Sequence, residues 1–251
     1  MKILAYDHHT AQYDTAGSRL SASGFHPDRL LQALLADLSR LPDVQVTVLR
    51  DAALPSLHLP PSVRVFACDA ADAAAALDAC MGEADAVWPV APESAGILER
   101  ASRHILHRDR LLLGSHPDAV QVFASKHRTS RVLKAAGIAV VDTWQLDEPV
   151  PESAGAWVVK PDDGAGCSET RIFPDHDAAR SWIGERDPGQ YVIQPYIHGK
   201  PRSMSLVCAD GRVLLMSVDE QRMAVFNNQL HYMGSTVGGV RDPQRQHRAL
   251  A

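Results

Sequence analysis

Residues 157–168 read Trp-Val-Val-Lys-Pro-Asp-Asp-Gly-Ala-Gly-Cys-Ser: an apolar run ends on Lys160 and passes into a loop with glycines at 164 and 166. Glycine lets backbone N–H groups turn towards a polyphosphate without obstruction by a side chain. A lysine on the adjoining strand supplies a point charge. The chemistry this spacing could perform is the binding of nucleotide phosphates. It is not a Walker loop, because no Gly-Lys-Ser/Thr follows. The same residues also spell an ordinary hairpin turn with an exposed lysine, and the loop alone does not separate the two.

Other residues have the right types for a site, each with a plainer explanation. Lysine is scarce here, so Lys126 in Phe-Ala-Ser-Lys-His-Arg-Thr-Ser-Arg stands out, although most helix lysines only meet solvent. Residues 191–199, Tyr-Val-Ile-Gln-Pro-Tyr-Ile-His-Gly, form an apolar run broken by a proline that cannot donate a ladder hydrogen bond. That suits an edge strand, or a hinge whose backbone meets a flat base. Glu93 follows an apolar strand, where ligands gather in open α/β sheets, but an acid also belongs at a helix start. Gln221 and Arg222, after the carboxylates Asp219 and Glu220, are candidates for contact with substrate or phosphate; a polar loop serves equally. Asp7-His8-His9 carries metal-binding types, yet reads better as a solvated loop. Ser203-Met-Ser205 fits a strand facing a cleft or a packed core.

The elements that must hold these residues can be read from periodicity. Strands are expected over 2–6, 44–49, 63–67 and 86–90, with a polar stretch over 8–24, and residues 111–114 close this block. Helices are expected over 27–41, 70–81 and 94–104; the first has leucines at 30, 31, 34, 35, 38 and 41. Alternation of strand and helix implies a parallel sheet covered on both faces. After Gly114 the texture changes. Residues 120–136 predict one helix stopped by Gly137, 138–144 an extended segment, and 147–155 a loop. Strands over 156–160, 171–173 and 191–197 flank a helix over 175–184. Residues 203–208 and 213–218 form a hairpin about Asp210-Gly211. The expected domains are 1–114, 115–188 and 189–251.

With 251 residues, 45% of them hydrophobic, the chain can bury a substantial core. A net charge of −5 with scattered charges gives no electrostatic case for nucleic acid or an anionic membrane. Cys68, Cys80, Cys167 and Cys208 have neither CxxC nor zinc spacing and suit free thiols in a reducing compartment. The start Met-Lys-Ile-Leu-Ala-Tyr-Asp-His-His is too short and polar for a signal segment, and no membrane-length apolar run follows. A cytoplasmic protein with small-molecule substrates is the expectation.

Lysine-bearing helix, Val-Val-Lys-Pro-Asp-Asp-Gly-Ala-Gly strand and loop, and Gln-Pro-Tyr-Ile-His-Gly hinge occur together in the order and rough spacing of the ATP-grasp superfamily, which the chain resembles almost throughout. The first domain is similar to the pre-ATP-grasp domain. Within the superfamily the resemblance is to the tyramine–glutamate ligase group of methanofuran-type cofactor biosynthesis. It rests on Thr-Val-Leu-Arg-Asp-Ala-Ala-Leu from 47, Asp-Ala-Val-Trp-Pro-Val-Ala-Pro-Glu-Ser-Ala-Gly from 85 and Leu-Gly-Ser-His-Pro-Asp-Ala-Val from 113. The resemblance implies ATP and Mg2+ as cofactors. Lys126 and Lys160 would contact phosphates, with Lys160 as the catalytic cation. Asp163, Gly164, Ala165, Gly166 and Cys167 would form a lid, and Gln194, Tyr196 and Ile197 would present backbone to adenine. Such ligases phosphorylate a carboxylate, and an amine then displaces phosphate.

The sequence departs from the family in three places. Lys200-Pro201-Arg202 stands where relatives carry an acid for the ribose. His8-His9-Thr10-Ala11-Gln12 replaces a glycine-rich loop that lines the acceptor site. The family's metal ligands, a late Asp and a Glu-x-Asn, are not found before Ala251. A ligase of a glutamate-like amino acid and an amine is therefore weighed against an inactive scaffold that binds nucleotide or a partner, and against a ligase of other substrates, such as a dipeptide ligase. Residues 1–251 by themselves are expected to turn over no substrate, and an unpaired edge of the last sheet would favour self-association into a homo-oligomer.

Overall fold

The computed structural model describes residues 1–12, 27–151, 154–184 and 186–240. The expectations for 13–24 and for the last residues before Ala251 lie outside the described residues. The chain divides into two compact units, Met1–Ala124 and Ser125–Ala251.

The first unit runs β1 (Lys2–Asp7), α1 (His8–Ala11), α2 (Pro27–Leu38), β2 (Gln45–Asp51), β3 (Val63–Cys68), α3 (Ala73–Glu83), β4 (Ala86–Val90), α4 (Ile97–His107), β5 (Leu111–Leu112) and α5 (Pro117–Ala124). Its strands form a parallel sheet in the order β3-β2-β1-β4-β5. Side chains alternate across a strand, so each strand feeds two cores. Ile3, Ala5, Val46, Val48 and Ala86 pack with Leu31, Leu35 and Leu38 of α2. Leu4, Tyr6, Leu49 and Val87 pack with α3 and with Ile105 of α4. Leu31 and Leu35 are fully buried, which stabilises the unit by about 2 kcal/mol each. Arg50, at the end of β2, is buried and makes a two-pronged bond to Asp28 of α2.

The second unit runs α6 (Lys126–Ala135), β6 (Trp144–Gln145), β7 (Trp157–Pro161), β8 (Arg171–Phe173), α7 (His176–Ile183), β9 (Tyr191–Pro195), β10 (Arg202–Ala209), β11 (Arg212–Phe226) and β12 (Gln229–Thr236). Its sheet has the order β10-β11-β12-β8-β7-β9-β6 and its pairs are antiparallel. A parallel sheet followed by a separate antiparallel sheet is the fold class expected. Trp157 and Val159 of β7 and Ile193 of β9 pack on Ala179 and Ile183 of α7. By alternation Val158, Lys160 and Gln194 face away from that core.

Several expectations need correction. The polar stretch after β1 opens as a helical turn, because the buried Asp7 carboxylate accepts from Thr10 N (2.9 Å) and caps α1. Residues 120–136 are two helices, not one. Ser125 takes extended dihedrals, which end α5, and its hydroxyl accepts from Arg128 N (3.1 Å) to start α6. The segment 138–144 contributes only Trp144 to a strand. Pro195 ends a strand that lies inside the sheet. It is tolerated because β6 pairs only with Val192 and Ile193. A third long strand, β12, was not expected. It is set off by Asn227 and Asn228, both left-handed, as a hairpin turn of this kind requires.

Candidate nucleotide site

Lys160 is the fourth residue of β7 and lies opposite Val192 of β9. Its ammonium makes no hydrogen bond or ion pair among the described residues. Burial lowers its pKa below the ordinary lysine value, the Lys126 charge lowers it further, and Cys167 opposes. A half-buried cation with no partner among the described residues favours an anion beside it.

The loop after β7 turns through left-handed backbone at Gly164 (φ 81°), Gly166 (φ 71°), Cys167 (φ 62°) and Glu169 (φ 48°). No atom lies within 4 Å of a Cβ built on Gly164 or Gly166, so the glycines serve dihedral angle rather than close approach. The far end of the loop is tied down by the Tyr191 hydroxyl, which donates to Glu169 Oε2 (2.6 Å). Burial raises the Cys167 thiol, against the pull of Lys160 and Lys126.

The near end is held by α6. Lys126 N donates to Asp162 O (2.9 Å), and His127 N donates to the Asp162 carboxylate (2.8 Å). The Lys126 ammonium donates to three successive carbonyls, those of Asp162 (3.2 Å), Asp163 (2.9 Å) and Gly164 (3.0 Å). Burial lowers the Lys126 pKa, and Asp162 and Asp163 oppose.

These parts surround a cavity of about 350 Å³, within the range of small-molecule sites. Lys126, Lys160, Asp163, Gly164, Ala165, Gly166, Cys167, Gln194 and Ile197 line it together, as do the apolar side chains of Val141, Val158 and Leu230. The Gln194 side chain is fixed by donating to Thr143 Oγ1 (2.5 Å). Cation and glycine loop can hold an anion, and the apolar walls can take a flat ring.

Four expected residues are not among those that line this cavity. Tyr196 is outside the lining: its N–H bonds Ala156 O (2.8 Å) and its ring meets His198 edge-on. Gln221 and Arg222 sit on β11, where Gln221 N bonds Pro201 O (3.0 Å) and the Arg222 guanidinium bonds Thr236 Oγ1 (3.1 Å). Glu93 belongs to the first unit and precedes the turn Ser94–Gly96 without a capping bond. Asp162 belongs to the loop motif without a role in the sequence reading, because the His127 N–H that its carboxylate accepts lies 35 residues away. Val141 and Leu230 come from segments with no motif, so nothing in the sequence marked them.

Among the described residues no three His, Cys, Asp or Glu side chains come together to hold a metal ion. No helix among them is long and apolar enough to cross a membrane.

No curated protein matched. Among solved structures, the chain is similar to an ATP-grasp superfamily protein from Archaeoglobus fulgidus (17% identity, TM-score 0.66, covering all of this chain and 69% of that one). It is similar to L-amino acid ligase from Bacillus licheniformis (15%, 0.64, 100% and 58%). It is also similar to N5-carboxyaminoimidazole synthetase from Staphylococcus aureus complexed with ADP (14%, 0.61, 98% and 61%). The chain thus spans between 58% and 69% of the length of these three. The pre ATP-grasp 3 domain family matches residues 44–120, and the ATP-grasp domain family matches residues 123–251. With half of its length in that second match, the chain belongs to the ATP-grasp family.

Proposed function

We propose that the second unit binds ATP, with the phosphates against Lys160 and the glycine loop and the adenine between Val141, Val158, Ile197 and Leu230. The observation that carries this reading is the Lys160 ammonium: it is unpaired among the described residues, half-buried, and set in the wall of a cavity that the glycine loop shares. Calorimetry with ADP tests it. Lys160→Ala should bind at least tenfold more weakly, since a charge-assisted phosphate contact contributes roughly 1.5–3 kcal/mol. Equal affinity would remove Lys160 from the site.

The reaction we infer is ATP-dependent joining of a carboxylate to an amine. A carboxylate oxygen bonds to the terminal phosphorus as ADP leaves. The amine nitrogen then bonds to the acyl carbon, the C–O bond to phosphate breaks, and the amine proton passes to solvent. Lys160 would stabilise charge on the phosphoryl oxygens throughout. Similarity to two solved structures, an amino acid ligase and a carboxyaminoimidazole synthetase, supports a ligase of small molecules. The finer reading is a cytoplasmic ligase of a glutamate-like amino acid and an amine such as tyramine, in cofactor biosynthesis of the methanofuran type. It rests on the segments from Thr47, Asp85 and Leu113. ADP release by the native protein that requires both glutamate and tyramine would support it. ADP binding without substrate-dependent release would identify a nucleotide-binding scaffold instead.

A further inference from the structure

The two lysines of the cavity are in opposite states. Lys160 has no hydrogen bond or ion pair among the described residues. An ammonium carries three N–H donors, and all three of Lys126 are engaged, on the carbonyls of Asp162, Asp163 and Gly164. To reach a phosphate, Lys126 would have to give up a carbonyl that Lys160 never has to.

The three bonds also dictate which way the loop's donors point. The described chain has no cis peptide, and in a planar trans peptide the N–H points opposite to the preceding carbonyl. Drawing the carbonyls of Asp162, Asp163 and Gly164 onto one ammonium therefore turns the N–H groups of Asp163, Gly164 and Ala165 away from it. Those of Gly164 and Ala165 have no acceptor among the described residues. Successive N–H groups with one orientation make an anion-binding concavity. Without the ammonium, three carbonyl dipoles would face one another at close range, and glycines at 164 and 166 would let the loop relax in many ways.

We propose that Lys126 is a positioning residue, a clasp that gathers the carbonyls of Asp162, Asp163 and Gly164 so that the loop presents its N–H groups to an anion, while Lys160 makes the direct phosphate contact. What the loop holds rests on the nucleotide reading; the clasp itself does not. The distinction from a phosphate-contacting lysine has a chemical handle. Arginine keeps the charge and would keep a phosphate contact, but its planar fork cannot meet three carbonyls converging on one point.

The test is nitrogen-15 relaxation on the nucleotide-free protein, joined to ADP calorimetry, for wild type, Lys126→Met, Lys126→Arg and Lys160→Met. Unchanged amide signals of β7 and β9 show that each variant is folded. In both Lys126 variants the order parameters of Gly164 and Gly166 should fall from about 0.85 to below about 0.6, and ADP affinity should fall alike in the two. Lys160→Met should keep the wild-type loop order and lose ADP affinity. Wild-type loop order in Lys126→Met, or wild-type ADP affinity in Lys126→Arg alone, would overturn the clasp. If wild type binds no ADP, the nucleotide reading fails; loop order in Lys126→Met still decides the clasp, disorder supporting it and order overturning it.

Discussion

Asp162 joins the helix and the loop, and its removal gives the sharpest test of how the site is built. At the start of α6, three N–H groups have no partner within the helix. Lys126 N goes to Asp162 O, His127 N to the Asp162 carboxylate and Arg128 N to Ser125 Oγ. Asp162→Ala leaves the backbone carbonyl in place and orphans only His127 N, in a part-buried position. Loss of a cap costs about 1 kcal/mol, range 0.5–2. Loss of a negative charge at a helix N-terminus adds about 0.3–1 kcal/mol. The expected total is about 1–2 kcal/mol. Asp162→Asn keeps an acceptor and should lose only the charge contribution, about 0.3–1 kcal/mol. Three of the four tryptophans, Trp144, Trp157 and Trp182, lie in the second unit, so a urea transition followed by tryptophan fluorescence reports mainly on it. The Asp162→Ala midpoint should lie roughly 0.5–1 M lower than wild type, with Asp162→Asn between the two. Equal midpoints for the two variants would show that the carboxylate does not act as a cap, and the account of how α6 holds the loop would fail with it.

Other consequences follow from the same geometry. Phosphate beside Lys160 should restore its lowered pKa, so ADP binding should take up protons and weaken as pH rises through the lowered value; calorimetry in buffers of different ionisation heat checks this, and a flat alkaline limb without proton uptake would contradict it. By the same sign, the unfolded chain binds protons at Lys160 more readily than the folded one, so this group's contribution to stability improves as pH climbs towards the ordinary lysine range. Gly164→Ala meets no steric obstacle but forces alanine to φ 81°; the strain should cost about 1–2 kcal/mol and weaken ADP binding, and a neutral result in both would mean that the loop needs no left-handed residue there. Trp157→Ala opens the α7 core, where Trp157 is 1% exposed, and should destabilise the second unit by about 3–5 kcal/mol in the urea assay; a loss under 1 kcal/mol would mean that this core is not what holds the sheet.

Much of this was written locally in the sequence. Alternation and helical spacing place β1 to β4 and α2 because one buried face repeats every two residues in a strand and every three to four in a helix. The strand that ends on Lys160 is legible for the same reason, and the positions of Gly164, Gly166 and the Asp210-Gly211 turn follow from the dihedral angles only such residues accept easily. Residues 191–197 read as one strand, whereas β9 stops at Pro195, which lacks the N–H to pair onward. What the sequence could not show is anything fixed by partners far along the chain. The break at Ser125 depends on its own hydroxyl, but also on Asp162, which caps the helix from 35 residues away. The ammonium of Lys126 finds its carbonyls 36 to 38 residues on. Val141 and Leu230 reach the cavity only through the strand order. Sequence determined that a lysine and a glycine loop stand side by side. Tertiary structure decided that one lysine is saturated by carbonyls and the other left open, because hydrogen-bond saturation depends on which groups meet in space, and no local pattern records that.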